Sequence, residues 1–145
     1  MRILAFLALF TALAVPAQAA ALSHVRGSGV VNGNTQHAGG SNTGRFSIDV
    51  TRAKAGFVRY TNTRQKVVLR STRITLFRDE SQGDWRIVVV TGLGTVNGHP
   101  IKFYARSVDN AGESGDSFSL SWTERTGLGY WSAGGRLTSG NIAIR

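Results

Sequence analysis

Apolar and polar residues alternate with a period of two through most of this chain, and helical spacing is hard to find beyond its first residues. Arg45-Phe46-Ser47-Ile48-Asp49-Val50-Thr51 alternates cleanly. So do Lys66-Val67 to Arg70, Arg73-Ile74-Thr75-Leu76, Ile101-Lys102-Phe103-Tyr104-Ala105-Arg106 and Ser117-Phe118-Ser119-Leu120-Ser121-Trp122. Trp85 to Val90 is instead a nearly continuous apolar run, which predicts a central strand covered on both faces. Gly, Asn, Asp and Ser interrupt these runs at the ~8–12-residue spacing of a sandwich or barrel. The expected architecture is therefore all-β: a single antiparallel β-sandwich or flattened barrel of about 8–10 short strands. Its predicted interior is Phe46, Ile48, Val50, Val67, Leu69, Ile74, Leu76, Ile87, Val89, Ile101, Phe103, Phe118, Leu120, Trp122, Ile142 and Ile144.

Turn chemistry sharpens the pattern. Asn97-Gly98 between Thr95-Val96 and Ile101-Phe103 predicts a type I′ hairpin turn, because both residues tolerate positive φ. Pro100 then suits the first position of a strand. Asn32-Gly33 repeats the device after Val30-Val31, and Ser139-Gly140-Asn141 is expected to turn a last hairpin between Leu137 and Ile142-Ala143-Ile144. Gln36 to Thr43 reads as a loop. Gly29-Val30-Val31-Asn32-Gly33 and Gly94-Thr95-Val96-Asn97-Gly98 echo each other, a pattern shared by duplicated units and by hairpins in general.

The N-terminus departs from the strand pattern. Arg2, the apolar run from Ile3 to Val15, and Ala17-Gln18-Ala19 form the three parts of a Sec-type signal peptide, with cleavage expected after Ala19. The apolar run is shorter than the ~20 residues a spanning helix needs. Residues 20–145 are then expected to form one domain, placed in the periplasm or outside the cell. No cysteine is present, so the interior must carry stability without disulfides. A chain of this size buries roughly two thirds of its unfolded surface, which suffices.

Charge adds a candidate activity. Seventeen basic residues face eight acidic ones, a net charge of +9. Such a balance attracts polyanions, although an Arg-heavy composition also follows from coding bias or a need for solubility. On the strand Ile101–Arg106, Lys102, Tyr104 and Arg106 share one face, and Arg59 neighbours Tyr60. These four are the candidate polyanion contacts, since basic side chains interleaved with rings suit a charged polymer. Export would direct them to envelope glycans, lipopolysaccharide phosphates or extracellular DNA, not to cytoplasmic nucleic acid.

The C-terminal third carries a family resemblance. Asp109-Asn110-x-Gly112-Glu113-x-Gly115-Asp116-Ser117-Phe118, then Tyr130, then Gly134-Gly135-x-Leu137-x-x-Gly140-Asn141-Ile142-x-Ile144, resembles the post-COAP domain of secreted bacterial proteins. Phe46-x-Ile48, Gly56 to Tyr60 and Gly92-x-Gly94-x-Val96-Asn97-Gly98 match further strands and the central turn of that domain, so the likeness spans roughly residues 27–144. It implies an extracytoplasmic all-β module and brings no catalytic residues. The polar segment Thr123 to Gly129 departs from the family pattern.

Asp109, Asn110, Glu113 and Asp116 place hard oxygen donors in a glycine-broken loop, as calcium prefers. The competing reading is an Asx-rich turn whose carboxylates cap backbone N–H groups. Glu113, Ser114 and Asp116 also outline a small hydrolase loop, but His24, His37 and His99 lie in no catalytic motif. The histidines lack zinc spacing, and no phosphate-cradling or dinucleotide loop occurs. The expectation is a non-enzymatic structural or binding domain with no required cofactor; calcium is the one candidate ion.

Overall fold

The computed structural model describes residues 21–32, 43–110, 115–124 and 130–145. The backbone of Tyr130 and Trp131 is included but not their side chains. Eight antiparallel strands follow one another around a closed barrel: β1 (His24–Asn32), β2 (Thr43–Thr51), β3 (Gly56–Asn62), β4 (Val67–Asp79), β5 (Arg86–Val96), β6 (His99–Asp109), β7 (Ser117–Glu124) and β8 (Tyr130–Ile144). Each strand pairs with its chain neighbours, and β8 returns to β1 with Ile144 opposite Val25 and Ile142 opposite Gly27. The sandwich alternative is thereby corrected. Full closure leaves no edge strands, so no strand is central in the sense expected for Trp85–Val90.

Alternation places one side of every strand inside. Phe46 and Phe118 stack in the interior with ring centroids 4.0 Å apart, and Tyr60 leans on Trp122 at 6.2 Å. Val25, Ile48, Val58, Leu69, Val88, Val90, Ile101, Leu120, Ile142 and Ile144 fill the space around them. Glycine makes room for the larger rings: a Cβ at Gly44 would fall 2.2 Å from the Tyr60 hydroxyl oxygen. Burial of each such side chain is worth about 1.5–3 kcal/mol, which replaces the missing disulfides.

Three expectations about local structure are overturned. Leu76 faces outward, 36% exposed, because register shifts between Ser71 and Arg73 and between Ile74 and Leu76 add residues and reverse the parity. Ile87 and Val89 are buried, yet Val88 and Val90 are the residues of that run that join the core. Outside, Val89 lies between Arg78 of β4 and Arg106 of β6, whose aliphatic stems can cover it. Ser139-Gly140-Asn141 makes no turn. Gly140, at φ +102°, lies within β8 opposite Gly29, and the strand runs through it.

The Asn97-Gly98 turn forms as the residues imply, with φ of 51° and 85° and Val96 paired to His99. Pro100 is the second residue of β6, one later than expected. Asn97 also ties two turns together: its Oδ1 accepts the Val68 N–H at 2.9 Å and its Nδ2 donates to the Lys66 carbonyl at 2.7 Å. Gly33 and residues 36–42 lie outside the described residues, as do residues 125–129.

Candidate polyanion-binding surface

The outer wall takes the polar half of each alternating strand. On β6, Lys102, Tyr104 and Arg106 do share one outward face, and Tyr104 is 39% exposed. Arg59 stands three strands away on β3, so the four candidates do not form one cluster. The register supplies what lies between. Arg59 is opposite Arg70 of β4, and Arg73 of β4 is opposite Leu93 of β5, itself opposite Lys102. Arg45 of β2 is two residues from Ser47, the partner of Arg59. Arg45, Arg59, Arg70, Arg73 and Lys102 therefore form an oblique band across β2 to β6.

Arg70, Arg73 and Lys102 make no ion pair among the described residues, nor does Arg45; the Arg59 guanidinium rests over the Phe57 ring at 4.6 Å. Direct opposition of Arg59 and Arg70 is unfavourable for folding, by a few tenths of a kcal/mol to about 1. An anion laid between them would reverse the sign.

The carboxylates are mostly occupied elsewhere. Asp49 accepts His24 Nε2 at 2.8 Å and meets Arg26 at 3.6 Å. Glu80 pairs with Arg78, and Asp79 accepts the Ser81 N–H at 2.9 Å. That bond is the main reason the Asp79 carboxyl lies below the usual carboxylate range. Asp79, Glu80, Asp84, Asp109 and Asp116 all cluster at the barrel end that holds the β4–β5 and β6–β7 turns. The basic band lies toward the opposite end, which also carries Glu124, opposite Ile101 and beside Lys102.

Asp109 and Asp116 have a specific task there. β7 begins at Ser117, paired with Arg136, so β8 outruns it from Leu137 onward. The Asp116 carbonyl accepts the Leu137 N–H at 3.0 Å, and its carboxylate accepts Ile142 N–H at 2.7 Å and Asn110 N–H at 3.1 Å. Asp109 accepts the Ile144 N–H at 2.9 Å, while Arg86 donates to the Ile144 carbonyl at 2.8 Å. Side chains thus stand in for the missing rungs of β7 and shut the barrel. Of the four candidate calcium ligands, Asp109 and Asp116 are engaged in this clasp, Asn110 enters it through its backbone, and Glu113 lies outside the described residues, as does Ser114. Among the described residues no three His, Cys, Asp or Glu side chains converge on one point.

Two outward depressions lie along β2. One, of about 420 Å³, is lined by Val30, Thr43, Arg45, Thr61, Thr63 and Arg64, giving two guanidinium groups and three hydroxyls. The other, of about 470 Å³, includes Arg26, Ser28, Ser47, Asp49, Phe57 and Asn141. Neither was visible in the sequence, since their residues come from β8, β1, β2, β3 and the β3–β4 turn, and only strand register brings them together. The outer wall is charged and the interior apolar, the inverse of a lipid-spanning barrel. No helix among the described residues is long and apolar enough to cross a membrane. Comparisons with family models, curated proteins and solved structures returned no match to this chain.

Proposed function

We propose that this chain is an exported, non-enzymatic β-barrel domain that binds anionic polymers on its outer wall. One observation carries the reading: the band Arg45–Arg59–Arg70–Arg73–Lys102, which crosses from β2 to β6 and is bordered by Asp49, already paired with His24 and Arg26, and by Glu124, one residue past the Thr123 partner of Lys102. Neighbouring strands are ~4.8 Å apart, so the band presents closely spaced positive charge over about 20 Å. A polymer with charge at comparable density releases its counterions along that whole length. The leader-like residues Arg2 to Ala19 favour the periplasm or the extracellular space, where the polymers available are envelope and matrix polyanions. The resemblance to the post-COAP domain agrees with that placement.

Titration with inorganic polyphosphate at several salt concentrations tests the proposal. Affinity is expected to fall linearly with the logarithm of salt, and Arg59→Ser with Arg70→Ser to reduce that slope by about 1.5. Both side chains are exposed, so the variant keeps its fold. An unchanged affinity and slope would refute the band as a binding surface.

A further inference from the structure

Resting on that reading, we infer that the anionic polymer is an acidic glycan, and that one sugar residue sits in the depression between Asn141 of β8 and Phe57 of β3. The register explains why a depression exists. Two outward rungs cross here: Ala143–Arg26–Asp49–Phe57 and Asn141–Ser28–Ser47–Arg59. Ser28 and Ser47 occupy the middle of the second rung and Ala143 one end of the first, so small side chains sit beside the larger Arg26, Asp49, Phe57 and Asn141. The result is a depression whose hydroxyls and backbone lie beside the Arg26–Asp49 pair, with an aromatic ring on one side and an amide on the other.

That set of groups matches a sugar better than a bare phosphate chain. A pyranose presents hydroxyls that both donate and accept, and Asp49, Asn141, Ser28 and Ser47 supply acceptors and donors in kind. Its C–H face needs an apolar surface, which the half-buried Phe57 ring, covered on one side by the Arg59 guanidinium, offers where it lines the depression. Asp49 is held in place by His24 and Arg26, so it need not be ordered on binding. A site of about 470 Å³ falls in the range of small-molecule pockets.

Continuity ties the depression to the basic surface. The second rung runs from Asn141 through Ser28 and Ser47 directly into Arg59 and Arg70. Four residues along β2 from Asp49, about 13 Å away, Arg45 opens the second depression with Arg64 and three threonines. A linear glycan along β2 thus meets a sugar-shaped floor first and an anion cradle next.

The test compares polygalacturonate, dextran sulfate, polyphosphate and single-stranded oligothymidylate by calorimetric titration. It uses the full chain, Arg59→Ser/Arg70→Ser, Asn141→Ala and Ser47→Leu, each checked for its thermal melt. Asn141→Ala, at an exposed position, serves if Ser47→Leu fails to fold. Polygalacturonate or dextran sulfate is expected to lose about 10-fold in affinity with either depression variant, at unchanged salt slope, since one or two hydrogen bonds are removed and no charge. Whichever of the two glycans binds tighter tells carboxylate from sulfate. Polyphosphate is expected to respond only to the arginine variant. Loss of glycan binding in the arginine variant alone, or tighter binding of oligothymidylate than of either glycan, overturns the glycan inference and leaves the polyanion surface standing. Indifference of every polymer to the arginine variant defeats the surface itself.

Discussion

Removing the Asp116 carboxylate isolates the clasp that closes the barrel. In Asp116→Ala, the Ile142 N–H loses its acceptor at 2.7 Å and the Asn110 N–H loses one at 3.1 Å. Ile142 is 1% exposed and its N–H points away from β1, so no strand and little water can replace the oxygen. A buried donor left unsatisfied costs about 1–3 kcal/mol, and the second, more accessible bond about 1 more. The expected loss is therefore about 3 kcal/mol, or roughly 10 °C in melting temperature for a domain of this size. Asp116→Asn keeps one acceptor oxygen and should lose about half as much. Thermal and urea unfolding measure both. The same melts run in chelator and in millimolar calcium separate the clasp from a cation site. A clasp predicts the same deficit in both and no calcium shift of the parent protein. A loss below about 0.5 kcal/mol in Asp116→Ala, within the range of an ordinary surface substitution, would refute the argument that side chains replace β7 here.

Burial raises the pKa of the Tyr60 hydroxyl above its ordinary value, against the smaller opposing pull of the Asn62 amide. Its contribution to stability is whole below the unfolded pKa of about 10 and is lost as pH rises through the folded one. Alkaline unfolding should accordingly be steeper in the parent than in Tyr60→Phe, as followed by strand circular dichroism; coincident curves would count against it. Ser107 is fully buried, and its hydroxyl has no hydrogen-bond partner among the described residues, so Ser107→Ala is expected to raise stability by about 1 kcal/mol in urea titration. Asn97→Ala removes two cross-turn bonds and leaves alanine at φ 51°, a combined loss of about 2 kcal/mol, while Asn97→Gly relieves the strain and should lose about 1.

Fold class was legible because alternation survives wherever one face of a strand is wet. Phe46-Ile48-Val50 and Phe118-Leu120-Trp122 are interior as read. Where both faces are covered, parity disappears from the text: Ile87 to Val90 are all buried, and the sequence does not say which two reach the core. Bulges erase it differently, by inserting a residue that looks like any other, and Leu76 was misassigned for that reason. Closure was less legible still. Nothing in Gly140 distinguishes a turn from a coiled strand, since glycine serves both, and reading a turn there hid the 15-residue strand that reaches back to β1. The echo between residues 29–33 and 94–98 falls at the ends of β1 and β5, four strands apart in an eight-strand barrel. That is the separation a doubled four-strand unit has.

The candidate binding surface was legible only in part, and the missing part is long-range. Lys102, Tyr104 and Arg106 share a face because they are two residues apart, which any strand guarantees. Arg59 joins them only through Arg70 and Arg73, residues that no local pattern marks, and through a closed sheet that fixes β3, β4, β5 and β6 side by side. Net charge had pointed to polyanions without choosing a place. The place follows from where the negative charge is spent: Asp109 and Asp116 on the unpaired backbone of β8, Asp79 and Glu80 at the β4–β5 turn, Asp49 between His24 and Arg26. With most of the described carboxylates at or near one end, two of them finishing the barrel, and Glu124 at the other, the arginines on the far half of its wall are left facing solvent. The same closure that stabilises the fold thereby creates the field that a polyanion would follow.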